Sequence, residues 1–410
     1  RLFAKLYSAD IPPEDYTADA LAYGRRFADP LLRRRPFAND RDPDRPLRVG
    51  FVSGDLCNHA LVRFFEPYLR AVDREHFTAF AYMTHASEDS VSDRLRPLFH
   101  AWHNISGLDD DEAADLIERD RIDILVDLSG HSAGNRLFVF ARKPAPIQVS
   151  WIGHPATTGL TAIDYRFCDA VTDPPGLTEA LHSERLWRLP RVVGTYEGPD
   201  DLPPVRGRAP FEDAGYVTFG CFNRLTKISD EALQTWARIM SAVPDARLFM
   251  VVGDIDNPDV RRAVDDRLAA AGMPLDRIIY QGRVNSGYYD LYHHVDVALD
   301  PYPYNGGTTS FDTLSMGVPI VALRGRHAVA RHGVLVLTAI GLPDLIADDA
   351  DSYVAIAQDL CRDLDRLRSI RHGLRERMRS SPLMDHCGLA RDVGDAFRGM
   401  WRTWLSESGV

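Results

Sequence analysis

Val295-Asp-Val-Ala-Leu299, followed by Asp300-Pro-Tyr-Pro-Tyr-Asn-Gly-Gly-Thr-Thr-Ser-Phe-Asp312, reads as a buried strand, a tight turn and the start of a helix. The apolar run has the length of a strand covered on both faces. Asn305, Gly306 and Gly307 let the backbone turn sharply and come close to a ligand. Thr308, Thr309 and Ser310 open a short helix that Gly317 and Pro319 stop. Such a junction gathers unsatisfied N–H groups and the positive end of a helix dipole, which makes an anion site. Taken alone, Gly-Gly-Thr-Thr is equally the sequence of a capped loop. The surrounding pattern decides between the two.

Apolar runs with strand character recur on both sides of this junction. Leu47-Arg-Val-Gly-Phe-Val-Ser53 opens a first series that continues at Phe77–Met83, 122–127, 147–151 and 165–167, with helix-period residues over 58–71 and 109–119. A Pro, Gly and Asp-rich linker over 198–211 separates it from a second series. That series runs 216–222, 247–252, 278–280, 295–299 and 319–323, with a helix expected over 229–240. Strands alternating with helices imply parallel sheets covered on both faces. The expected fold class is α/β, two doubly wound Rossmann-like domains facing a cleft. Their expected bounds are a helical stub and linker over 1–46, a first domain over 47–205, a second over 206–380 and a helical tail over 381–410.

Composition narrows the function. The 410 residues are 45% hydrophobic and 26% charged, as in ordinary globular chains, and the net charge of −11 argues against a nucleic-acid partner. No apolar run is long enough to span a membrane, so no membrane partner is expected. Arg1 is not a Met and no signal-peptide core follows it, which points to a segment of a longer chain. Five scattered cysteines suit free thiols in a reducing cytoplasm. Neither the cysteines nor the fourteen histidines have metal-ligand spacing, so no metal and no cofactor is expected.

Chemistry-bearing residues fall where strands end. Asp55 and His59 follow the first strand; a histidine there can act as a base and a carboxylate can orient it. Asp127-Leu-Ser-Gly-His131 and Trp151-Ile-Gly-His-Pro155 repeat the placement, each setting a glycine beside a histidine as the chain leaves the sheet. In the second series, Gly220-Cys-Phe-Asn-Arg-Leu-Thr-Lys-Ile228 carries Arg224 and Lys227 one turn apart, where a phosphate would dock. Together with the Thr308 helix start they form a candidate clamp for a pyrophosphate. Asp312 is placed to accept from a ribose. The Rossmann glycine fingerprint and the Walker A sequence are both absent, against dehydrogenase and NTPase readings.

Five motifs in this order resemble the catalytic region of the O-linked N-acetylglucosamine transferase family (glycosyltransferase family 41), especially its bacterial members. They are Leu-Arg-Val-Gly-Phe-Val-Ser-Gly-Asp…Asn-His, Asp-Leu-Ser-Gly-His-Ser-Ala-Gly-Asn-Arg, Pro-Ala-Pro-Ile-Gln-Val-Ser-Trp-Ile-Gly-His-Pro, Phe-Asn-Arg-Leu-Thr-Lys-Ile and Asp-Pro-Tyr-Pro-Tyr-Asn-Gly-Gly-Thr-Thr. The resemblance implies a GT-B fold, the acceptor domain first, and a metal-independent, inverting transfer from a UDP-sugar, most often GlcNAc, to Ser or Thr of a protein. It assigns the pyrophosphate to Lys227, Thr308 and Thr309, and the ribose to Asp312. It places His59 and Asp55 near the reacting sugar, and His131, Ile152 and Gly153 around it. The acceptor proton passes to His59 or to a donor phosphate oxygen. This chain departs from the family at Arg224, where many members have Gln or Asn, and at Tyr288, where many have a His stacked on uracil. Ala20 stands where the family's linker often has a His. The tetratricopeptide array that recruits protein acceptors is absent from this chain. Two alternatives remain: the related transfer of glucose to Asn, and a catalytically silent nucleotide-binding scaffold.

Overall fold

Alternate residues of Leu47–Ser53 (β1) enter different cores: Leu47, Val49 and Phe51 pack in one cluster of buried side chains and Val52 in another. Successive side chains of a strand point to opposite faces, so this sheet is covered on both. The computed structural model describes residues 1–199, 202–284 and 286–407. Asp200 and Asp201 of the expected linker, and residues 408–410 of the expected tail, lie outside the described residues. By contact the chain divides into two units. The first comprises Arg1–Phe3, Pro12–Glu197 and the chain from Asp385 on; the second comprises Ala4–Ile11 and Gly198–Met384.

In the first unit β1 is joined by Phe77–Met83 (β2), Ala101–Asn104 (β3), Ile124–Asp127 (β4), Ile147–Ser150 (β5), Tyr165–Cys168 (β6) and Arg185–Arg188 (β7). They form one sheet in the order β3-β2-β1-β4-β5-β6-β7, every pairing parallel. The order reverses between β1 and β4, the place at whose carboxyl ends open α/β sheets generally bind ligands. Leu2–Lys5 (α1) and Pro13–Tyr23 (α2) precede the sheet; Val62–Ala71 (α3), Ser90–Leu95 (α4), Asp110–Arg119 (α5) and Leu137–Ala141 (α6) connect its strands. Asp109 and Glu112 close a capping box on α5, satisfying donors at its start. Behind α2, Gly24 and Gly159 pack backbone to backbone: a Cβ on Gly24 would lie 1.8 Å from the Gly159 carbonyl.

The second unit repeats the topology with Thr218–Cys221 (β8), Arg247–Val251 (β9), Ile278–Gln281 (β10), Val297–Leu299 (β11), Ile320–Leu323 (β12) and Ile346–Ala347 (β13). Their order is β10-β9-β8-β11-β12-β13, again all parallel, reversing between β8 and β11. Pro210–Ala214 (α7), Asp230–Ala242 (α8), Pro258–Ala270 (α9), Thr308–Ser315 (α10), His332–Ala339 (α11), Ala350–Arg362 (α12) and Leu364–Arg379 (α13) complete it. Ser229 caps α8 by accepting from the Ala232 N–H.

The chain then returns to the first unit as His386–Glu407 (α14). Leu389, Val393, Phe397, Met400 and Trp401 share a buried cluster with Val49, Phe51 and Trp151. Arg191 bonds Asp385 at 2.5 Å and Asp392 at 2.9 Å, fixing the entry to the helix. The two doubly wound parallel sheets are those read from the sequence. Three strands had no such signal: β3, β7 and β13 stand at sheet edges, and β3 and β7 are half-exposed and carry no apolar run.

Candidate functional site

In the second unit the loops after β8 and β11, the two strands at the order reversal, are tied together. Ile228 and Pro303 pair in an isolated antiparallel bridge. The Lys227 ammonium donates to the Asn305 carbonyl at 3.0 Å and lies 4.4 Å from the centroid of the Tyr304 ring. Asn305 is fully buried; its amide donates to the Pro301 carbonyl at 2.9 Å and its side-chain oxygen accepts from the Gly333 N–H at 3.3 Å. Gly306 donates to Asp300 Oδ1 at 2.8 Å. A Cβ there would lie 2.2 Å from Ser310 Oγ, so any larger residue has to turn that hydroxyl aside. Gly307 precedes α10, and no side chain caps that helix. The N–H groups of Thr308 and Thr309 therefore belong to an uncapped helix start beside a cation, the arrangement that binds an anion.

The charges here are unusual. Burial pulls the Lys227 ammonium down to about 8, with Asp300 opposing the shift and Arg224 adding to it. Burial pushes the Asp300 carboxyl up to about 7 against the pull of the Gly306 N–H, Lys227 and Ser310. Arg224 is exposed on the same turn. Asp312, buried on α10, accepts from the Tyr289 hydroxyl at 3.4 Å. Tyr288 meets Tyr289, Tyr292 and Phe222 edge to face, at 5.6, 5.8 and 6.5 Å between centroids. Lys227, Asn305, Gly307, Thr308 and Thr309 are thus brought to one place, with Asp312 and Tyr288 on a neighbouring aromatic wall.

In the first unit the expected residues occupy the ends of β1, β4 and β5. Asp55 follows β1, and burial raises its carboxyl against the pull of His59 and His85. His59 Nδ1 is 3.7 Å from Asp55 Oδ2, beyond hydrogen-bond reach, and already accepts from the Leu61 N–H at 3.2 Å. Asp55 thus lies beside this ring without bonding it; the imidazole remains half exposed. Ser53 Oγ and Ser129 Oγ, 3.5 Å apart, link the ends of β1 and β4.

The junctions after β4 and β5 interlock. The Gly153 N–H bonds the Trp151 carbonyl at 2.7 Å, a γ-turn centred on Ile152 at φ +59°, a left-handed value strained for a β-branched residue. A Cβ on Gly153 would stand 1.7 Å from the Leu128 carbonyl, and one on Gly130 2.2 Å from His154 Cβ. His131 Nε2 donates to the Thr158 carbonyl at 2.8 Å; its ring meets those of Tyr23 and His154 at 5.2 and 5.3 Å, and burial lowers its pKa. Both glycines therefore serve close packing, and His131 is held as the neutral ring.

Several neighbours escaped the reading of the sequence. Glu184 is buried and accepts from Thr157 Oγ at 2.6 Å, from the Thr158 N–H at 2.8 Å and from Thr158 Oγ. Tyr16 on α2 bonds His154 Nε2 at 2.9 Å. Neither follows a strand, so placement offered no signal. Asn223 and Asp300 do follow strands at the order reversal, and that position was available as a signal. Among the described residues no three His, Cys, Asp or Glu side chains gather as a metal site, and no helix is long and apolar enough to cross a membrane.

The model of glycosyl transferase family 41 matches residues 31–197 and 205–393. The SPINDLY protein of Solanum lycopersicum, described as a probable UDP-N-acetylglucosamine–peptide N-acetylglucosaminyltransferase, is 37% identical over 388 residues, covering 93% of this chain and 42% of that protein. The similarly described SEC protein of Arabidopsis thaliana is 31% identical over 371 residues, 88% of this chain and 38% of that one. The chain thus spans about two fifths of the length of these curated relatives. Among solved structures, a mutant of the Thermobaculum terrenum O-GlcNAc transferase superposes with a TM-score of 0.91 at 38% identity, over 98% of this chain and 76% of that one. HepE of Anabaena in complex with UDP shares the fold, with a TM-score of 0.54 at 10% identity over 86% of this chain and all of that one.

Proposed function

Since the chain belongs to glycosyl transferase family 41, we propose that it moves a sugar, GlcNAc, from a UDP donor to Ser or Thr of a protein, inverting the anomeric centre without a metal. The observation that supports this most is the meeting of Lys227 with the glycine turn ahead of α10 at the order reversal of the second sheet. Cleavage of a UDP-sugar leaves negative charge on the β-phosphate. A fixed ammonium and the N–H groups of Thr308 and Thr309 stabilise that charge without reorganising during the reaction. Loss of one such donor costs about 3–4 kcal/mol in the barrier.

The remaining roles follow the family. Asp312 takes the ribose, and Tyr288, with Arg224, faces the uracil. In the first unit Ile152, Gly153 and His131 shape the sugar pocket, while His59, with Asp55 beside it, serves the reacting sugar. Lys227 supplies the positive charge that a divalent ion gives other transferases, so activity should persist in EDTA. The five free cysteines suit a cytoplasmic protein.

A hydrolysis screen over UDP-GlcNAc, UDP-glucose, UDP-galactose and GDP-sugars, followed by mapping the modified residue of a glycosylated peptide, tests the proposal. Turnover of UDP-GlcNAc with attachment at Ser or Thr is expected. Attachment at Asn, an EDTA-sensitive rate, or UDP binding without turnover of any donor overturns it.

A further inference from the structure

Asp300 is the first residue beyond β11, at the order reversal of the second sheet, and is 3% exposed. Both of its oxygens are hemmed in by glycine. Oδ1 accepts from the Gly306 N–H at 2.8 Å and would lie 3.0 Å from a Cβ on that residue. Oδ2 would lie 2.7 Å from a Cβ on Gly333 and has no hydrogen-bond partner. A buried carboxylate oxygen without a donor is costly unless a nearby opposite charge compensates it. Lys227, bonded to the carbonyl of Asn305 next to Gly306, is the cation that acts on it. The family scheme gives this carboxylate no contact with the donor.

We propose that Asp300 is a positioning residue of the donor site: it fixes the turn ahead of α10 through Gly306 and is the buried counter-charge of Lys227. The inference rests on Lys227 binding the diphosphate. Besides the Gly306 N–H and Ser310, which act on Asp300, the groups that act on this pair are Arg224 and Cys221, from the end of β8 and the turn after it, which act on Lys227. Tyr353 on α12 donates to the Asp300 carbonyl at 3.1 Å, and Tyr304 and Tyr7 are neutral phenols whose pKa burial raises. Asp300 is the larger of the two influences that favour the charged form of Lys227, Cys221 being the other, and Arg224 opposes them.

The sign follows. The Lys227 pKa, already lowered to about 8, falls further when the charge of Asp300 is removed. UDP affinity depends on the ammonium, so it declines as pH rises through that value. In Asp300→Asn the decline moves to lower pH. Loss of the carboxylate also relieves its repulsion of the diphosphate, which changes the affinity above pH 7 but leaves the Lys227 midpoint set by the ammonium.

UDP binding is measured from pH 6 to 9 by calorimetry on the wild type, Asp300→Asn, Asp300→Ser, Lys227→Arg and Lys227→Ala. The titration of UDP itself is common to all five. Asp300→Asn, which keeps an acceptor for Gly306, is expected to bind within about threefold of wild type at pH 6, and Asp300→Ser, whose hydroxyl is one atom short of it, more weakly, with the alkaline midpoint lowered by about one pH unit or more in both. Lys227→Arg, which keeps its charge, should lose the alkaline decline. An unmoved midpoint in whichever Asp300 variant folds overturns the inference. Unimpaired UDP binding in Lys227→Ala overturns the diphosphate assignment instead, so the two failures are distinct.

Discussion

The ring of Tyr7 stacks on that of Tyr304, 4.5 Å between centroids and 22° from parallel, and Tyr304 is also the ring beneath the Lys227 ammonium. A residue from the start of the chain thus shares a platform with the proposed diphosphate cation. Stacked rings contribute about 0.5–1.5 kcal/mol and cation–π contacts a similar amount. Tyr7→Ala is expected to weaken UDP binding about tenfold, and Tyr7→Phe, which keeps the ring, about twofold at most. Equal losses in the two variants, read by calorimetry, would refute a role for the stack.

Lys227→Ala is the most direct test of the diphosphate assignment. Transfer should drop at least a hundredfold while the far-ultraviolet spectrum stays unchanged, since the removed bond to Asn305 lies in a loop rather than a core. Turnover at the wild-type rate would show that the charge is not used.

Gly153 admits no side chain, because the Leu128 carbonyl occupies the space. Gly153→Ala is expected to lower Tm by more than ten degrees or to prevent folding, through a clash with backbone that cannot move aside. Gly107, with nothing within 4 Å of its Cβ position, provides the control, and Gly107→Ala should melt with the wild type.

Ile152 poses the opposite case. Its left-handed backbone costs roughly 1–2 kcal/mol, which glycine would recover. Replacing a half-buried Ile by Gly elsewhere costs a few kcal/mol; here urea denaturation should show Ile152→Gly within about 1 kcal/mol of wild type. Activity should fall, since Ile152 is assigned to the sugar pocket. A loss of stability of ordinary size would mean that the turn is not strained.

Burial depresses the pKa of His131, so the folded chain resists its protonation. Its contribution to stability is complete above the unfolded value near 6.5 and declines as pH falls through it toward the lower folded value. His131→Gln keeps a donor for the Thr158 carbonyl but does not titrate. Urea denaturation should find the wild type losing ground to this variant between pH 7.5 and 5. A constant difference across that range would place the imidazole in contact with water.

What could be read in advance depended on how locally each feature is written. β1 declares itself because Val49, Phe51 and Val52 alternate between two cores within seven residues. The positions of Lys227 and Thr308 in the turns after β8 and β11 were legible because each follows a short apolar run closely. The Tyr7–Tyr304 stack was not, since a contact between residues so far apart in sequence leaves no periodic trace. Asp300 stood in the first stretch quoted, yet its importance depends on a burial that spacing alone does not reveal. The amphipathic pattern of α14 showed a helix but not the sheet it joins.

That last attachment has a consequence for biosynthesis. The sheet containing β1 is finished with side chains from Leu389 to Trp401, so its hydrophobic face stays open while everything from Gly198 to Met384 is being translated. The later-made sheet has nearly all its parts first. Nascent chains arrested before residue 385 should therefore expose the cluster around Phe51 and Trp151 to chaperones, and release of α14 is the step that seals it.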